Sequence, residues 1–184
     1  MVHPTKTMTK NLIAIVASAL VSQAFAQTPA ATPANTAETL FRQGQAAEKA
    51  GDAATARQAY TAALQANPNH ANARYSLGQL KLTSGSISAK GREAKFGAVM
   101  VPEFKLDGAS FQESLDALRV VVEKQSKEEV TPNFVIQDPK NLFSSAKISL
   151  NLKAMPAKGV LQYLLESAGA KARFDEHAIV IAPK

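Results

Sequence analysis

An α+β fold is predicted for this chain: a helical hairpin repeat first, then a small β-α-β-β-α-β-β module. Three observations carry that prediction. Apolar residues recur at helical spacing from residue 37 onward, and strict alternation of apolar and polar residues runs from Lys147 to Lys153. Two further amphipathic stretches, opened at Ser110 and Pro156, separate the apolar runs of the C-terminal half. At 46% hydrophobic and 20% charged, the 184-residue chain has globular composition, which excludes a disordered or multi-pass membrane protein. Cys is absent, and with it disulfides, thiol nucleophiles and thiolate zinc sites.

Residues 1–26 read as an export signal. Lys6 and Lys10 precede a largely apolar run from Asn11 to Val21, and Ala24, Phe25 and Ala26 give the small-x-small exit before Gln27. The run, ~11 residues long, falls short of the ~20 needed to span a bilayer. Cleavage is expected after Ala26, and the protein is expected in the periplasm. The formal charge then drops from +6 to +4, because only Lys6 and Lys10 leave with the segment. That mild excess is spread along the chain, with no Lys/Arg block, no helix-turn-helix pattern and no basic-aromatic interleaving, so no nucleic-acid partner is expected. Contact with a membrane is expected only through a partner or an uncleaved signal. Residues 27–36, small, polar and Pro-containing, read as an extended linker.

Helical periodicity begins at Ala37. Leu40, Phe41, Gly44 and Ala47 share one face before Gly51 and Asp52 break the run. Ala56, Ala59, Tyr60, Ala63 and Leu64 share the face of a second helix, which Asn67 and Pro68 close. Residues 37–70 thus make one 34-residue unit that resembles the tetratricopeptide repeat, with Gly44, Ala56, Tyr60, Ala63 and Pro68 in that family's signature places. A second, degenerate unit starts at Ala71, with Leu77 and Gly78 in register and Gly85 at the expected turn. The repeat region is placed at 37–85. One or two repeats cannot bury a continuous core by themselves, so they must lean on the following domain, another copy or a partner. The resemblance implies a concave protein-binding face carrying Glu38, Phe41, Gln45, Glu48, Tyr75 and Gln79.

Residues 86–98 hold Gly91 and Gly97 among charged residues and read as a hinge or a frayed helix. The module follows at 99–184. Val99 to Leu106 is its first strand, with Pro102 arguing for an edge or bend. Ser110 and Glu113 form a capping box that opens a helix near 111–126. Asn133 to Gln137 is a short buried strand. Ile148, Leu150 and Leu152 line one face of the next, and Pro156 opens a helix stopped by Gly169. Lys171 to Phe174 and Ala178 to Ala182 form a closing hairpin. Residues 101–118, 133–136 and 148–165 resemble the secretin and TonB short N-terminal domain in order and hydrophobic rhythm. That family folds with two helices between two small sheets and contacts protein partners in envelope machines.

No chemistry is assembled in the sequence. His3, His70 and His177 are far apart, Ser144 and Ser145 lack a nucleophile frame, and no phosphate-binding glycine motif occurs. Neither a catalytic residue, nor a metal site, nor a cofactor is expected. The leading expectation is a non-catalytic adaptor of the cell envelope, accessory to secretion, pilus or outer-membrane assembly. Binding would use groove docking or strand addition, with Val101–Leu106 and Ala178–Ala182 as the candidate strands. Two alternatives stand beside it. One is a periplasmic sensor or carrier for a glycan or small ligand, in a pocket seeded by Phe41, Tyr75 and Phe96. The other is self-assembly into homo-oligomers through unpaired repeats.

Overall fold

Small residues set the packing of the first two helices. Helix α1 (Pro33–Lys49) and helix α2 (Ala53–Ala66) fold against each other across a turn at Gly51 and Asp52. The computed structural model describes residues 33–184, so the expected signal and residues 27–32 of the expected linker lie outside the described residues. The remaining linker residues, 33–36, are helical, which corrects the expected boundary. Pro33 suits a first turn, where its fixed φ is pre-organised and no N–H is missed. Asp52 caps α2 by accepting from the Thr55 backbone N–H at 2.9 Å and from its hydroxyl at 2.7 Å. These bonds hold its carboxyl below the usual carboxylate range.

Gly44 faces the ring of Tyr60 so closely that a Cβ there would collide with the ring carbons. Tyr60 is fully buried, and its phenol donates to Glu48 Oε2 at 2.8 Å. Burial, and then the Glu48 carboxylate, push that phenol up to about 12.

Helix α3 runs unbroken from Ala71 to Ala98, so Gly85 makes no turn and residues 86–98 are neither hinge nor frayed end. Packing on both ends overrides the cost of interior glycines, ~1 kcal/mol each relative to alanine. Leu80 and Ile87 pack with the α1–α2 pair. Gly91 meets the α1–α2 turn: a Cβ on Gly91 would stand 2.5 Å from the Gly51 carbonyl oxygen, and Gly51 itself has φ +78°. Beyond that crossing, Phe96 is 1% exposed and lies edge-on to Phe134, with ring centroids 6.3 Å apart. It also contacts Phe174 at 5.8 Å. One helix therefore belongs to both cores.

The C-terminal half contains strand β1 (Met100–Ser110), helix α4 (Phe111–Gln125), strands β2 (Phe134–Ile136) and β3 (Lys147–Pro156), helix α5 (Ala157–Ala168), and strands β4 (Ala170–Phe174) and β5 (Ile179–Pro183). β1 and β3 form an antiparallel two-stranded sheet, and the second sheet has the order β2-β5-β4. β5 pairs parallel to β2 and antiparallel to β4. Helix α4 packs on β1 and α5, and α5 touches β3 of one sheet and β4 of the other.

The capping box at Ser110 is formed: the Glu113 N–H donates to Ser110 Oγ, and the Ser110 N–H donates to Glu113 Oε2 at 2.8 Å. Gly169 ends α5 with φ 65°, a left-handed cap that favours glycine. Two expectations are corrected here. Phe134 and Ile136 are half-buried and Val135 is exposed, rather than all three being buried, because β2 lies at a sheet edge. Ala178–Ala182 offers no strand-addition edge, because β5 is central and both of its sides are paired.

Candidate interaction surfaces

The six residues expected on a binding face have separate fates. Phe41 is 7% exposed and is packed between Tyr60 and His70, at centroid distances of 5.7 and 5.1 Å. It is core, which corrects the expectation that it faces a partner. Apolar burial against a neighbouring ring outweighs exposure for a phenylalanine at a helix crossing. Glu38 accepts from Arg42 Nε at 3.0 Å and stands 3.3 Å from His70 Nε2. The Arg42 guanidinium holds its carboxyl below the usual range.

Gln45 and Glu48 line a cleft of about 650 Å³, but helix α3 contributes Ser76, Ile87 and Lys90 to it rather than Tyr75 and Gln79. The latter two are exposed on the outer side of α3, Tyr75 at 69%.

That outer side is a further surface. Tyr75, Gly78 and Leu82 fall at i, i+3 and i+7 and so share one face of the helix, and Leu82 is 82% exposed. Gly78 lies 34 residues after Gly44. Gly44 is covered by Tyr60, whereas a Cβ on Gly78 would meet nothing within 4 Å. Leu82 was missed by sequence reasoning, although its seven-residue spacing from Tyr75 was a readable signal.

Two clefts flank the lower part of α3. One, of about 530 Å³, lies among the α1–α2 turn, α3 and loops of the module, with Asp52, Arg92, Lys95, Glu129 and Glu176 in its wall. The Arg92 guanidinium is occupied there, donating to the backbone carbonyls of Asp175 at 3.2 Å and Glu176 at 2.8 Å. The other, of about 920 Å³, runs between α3 and β4 and is lined by Gly85, Ser86, Ala89 and Lys90 opposite Ala172, Arg173 and Phe174. Phe41, Tyr75 and Phe96 do not gather in one pocket: two are in separate cores and the third is on the outer face of α3.

Among the described residues, no three His, Asp or Glu side chains are grouped to hold a metal ion. No helix among them is long and apolar enough to cross a membrane. The buried Ser114 hydroxyl donates to the Ser110 carbonyl at 2.7 Å, a structural bond at the start of α4. No family model matches the chain, and neither a curated protein nor a solved structure matches it.

Proposed function

We propose that the protein is a non-catalytic adaptor of the cell envelope, exported by its N-terminal segment and built from a tetratricopeptide-like helical region and a module like the secretin and TonB short N-terminal domain. The order Lys6 and Lys10, apolar run, Ala24-Phe25-Ala26 supports export. The 34-residue spacing of Gly44 and Gly78 supports the helical assignment, and the β-α-β-β-α-β-β order with its pair of small sheets supports the second. Accessory work in secretion, pilus or outer-membrane assembly is the role such a pair of modules suits.

One observation carries the binding reading. The face of α3 around Tyr75, Gly78 and Leu82 has large apolar side chains in solvent beside an unfilled glycine. Its counterpart around Gly44 receives an aromatic ring from α2. The fitting occupant is a partner helix that brings an aromatic residue among small ones, as α2 does with Tyr60 among Ala56, Ala59 and Ala63. The separation of Phe41, Tyr75 and Phe96 favours this reading over an aromatic ligand pocket.

A photocrosslinker at Leu82 tests it in cells, with Val120 on α4, also exposed, as the comparison position. A distinct envelope protein captured from Leu82 and not from Val120 is the expected result. Capture of this chain alone would move the assignment to self-assembly, and no capture would move it to a soluble ligand.

A further inference from the structure

We propose that His70 is a proton-sensitive latch on the docking face of α3: with a neutral ring it caps the helix, and a further proton uncaps the turn that leads into Tyr75. The inference rests on the docking reading of that face and adds how the face is regulated.

The hydrogen bonds fix the state of the ring. His70 is the N-cap of α3, and its Nδ1 accepts from the Ala73 N–H at 3.2 Å. An accepting ring nitrogen carries no proton, so the proton of the neutral ring is on Nε2, 3.3 Å from Glu38 Oε2. Each nitrogen has one partner and one role. The common N-cap side chains, Ser, Thr, Asn and Asp, accept throughout the range near neutrality. A histidine accepts only while it is uncharged. With a second proton both nitrogens are donors, and Nδ1–H would point at the Ala73 N–H.

The ring has no way to meet that change in place. Its side chain is 10% exposed, and the Phe41 ring lies against it at a centroid distance of 5.1 Å. Turning the ring over exchanges its nitrogens without restoring an acceptor. Swinging it out would uncover Phe41.

The surrounding charges pull in both directions. Glu38, on α1, favours the charged ring, and its carboxylate is shared with Arg42 at 3.0 Å. The start of α3 opposes it, because the unpaired N–H groups of a helix N-terminus favour negative charge. Arg74, in the first turn of α3, is a further cation and donates to the Pro68 carbonyl. The connecting residues 67–69 are uncharged, and Arg57, the one charge on α2, lies toward the far end of that helix. In the stability of the whole chain these effects offset one another. Locally they do not, since the Ala73 N–H loses its acceptor in either case.

The place of the cap ties the event to docking. Ala73 is buried, and Tyr75 begins the exposed row that continues through Gly78 to Leu82. Leu80, 1% exposed, anchors the helix in the first core beyond that turn. Loosening of residues 71–74 therefore reaches Tyr75 and stops before Leu82.

The test uses the full, isotope-labelled chain at about pH 7.5 and about pH 5, the range in which histidine changes charge. At the higher pH, ring 15N shifts should show a proton on Nε2 and none on Nδ1. Amide exchange at Ala73 and Arg74, corrected for the intrinsic rate at each pH, should be about fivefold faster at the lower pH, the worth of one N-cap. His70→Asn keeps an acceptor that does not titrate, so its corrected exchange at these amides should be the same at both. Capture by a photocrosslinker at Tyr75 in cells should fall by a similar factor in acid for the parent and hold for His70→Asn. A proton on Nδ1 at the higher pH, unchanged exchange at Ala73, or the same response in His70→Asn would overturn the proposal. The docking reading fails separately. If Ala73 loses protection in acid while neither Tyr75 nor Leu82 captures a partner, the latch stands and docking falls; a partner captured from Leu82 with Ala73 unmoved removes the latch alone.

Discussion

The helical half buries four alanines with Phe41, Tyr60 and Leu80, whereas the C-terminal core buries four phenylalanines with seven leucines and isoleucines. Alanines bring backbones close but contribute little apolar area, so the first core depends on two rings in contact, Phe41 and Tyr60, the latter seated on Gly44. The second core has many large side chains, any of which shares the load with neighbours. Helix α3 passes from one core to the other, contributing Leu80 to the first and Phe96 to the second. The small core is therefore held in place by a helix that the large core anchors. Its local opening should cost less than global unfolding.

The strongest test of that comparison is Phe96→Ala. It should remove about 4 kcal/mol of stability, because a fully buried ring is lost where α3 enters the larger core. Urea unfolding should show both halves weakened, since both use the same helix. A loss confined to the module would mean that α3 is not the link. Tyr60→Ala should cost about 3 kcal/mol. Hydrogen exchange should show α1 and α2 losing protection while α4 and α5 keep theirs.

The third test is alkaline. Tyr60 binds its proton more tightly when folded, at about 12, than the ~10 of an exposed phenol. Its contribution is therefore fully present below pH 10 and is lost as pH rises from 10 through 12, an effect on the order of 3 kcal/mol. The urea midpoint measured across that window should fall for the parent chain and stay flatter in Tyr60→Phe.

The smallest effect is Ser110→Ala, about 1 kcal/mol from the loss of the α4 cap. The Ser110 hydroxyl holds the Glu113 carboxyl below its ordinary value, so this part of the stability is present above the usual carboxylate range and fades in acid. The denaturation midpoint of the parent should fall at low pH more than that of Ser110→Ala. This last test touches only the larger core, and α1 and α2 should keep their exchange rates.

Several elements were legible because their signals are local. The capping box at Ser110, the alternation from Lys147 to Lys153, and the Gly169 stop each depend on residues within a few positions of one another, and each is found where expected. The candidate surface was legible only in part. Tyr75 and Gln79 are exposed as expected, but Phe41 is buried, because the ring that covers it and the His70 side chain come from other turns of the chain.

By itself the sequence determined the α+β class and the approximate positions of most helices and strands. Periodicity, caps and spacing are properties of neighbouring residues and survive in any arrangement of the elements. Only the tertiary structure decided that α3 runs through Gly85, that β5 is central and β4 an edge, and that Gly78 stays open where Gly44 is filled. Each of those outcomes turns on contacts between distant segments: Gly51 on Gly91, Phe96 on Phe134 and Phe174, and β2 beside β5. Their packing free energy outweighs a local glycine's preference to break a helix, and no window of sequence contains both partners.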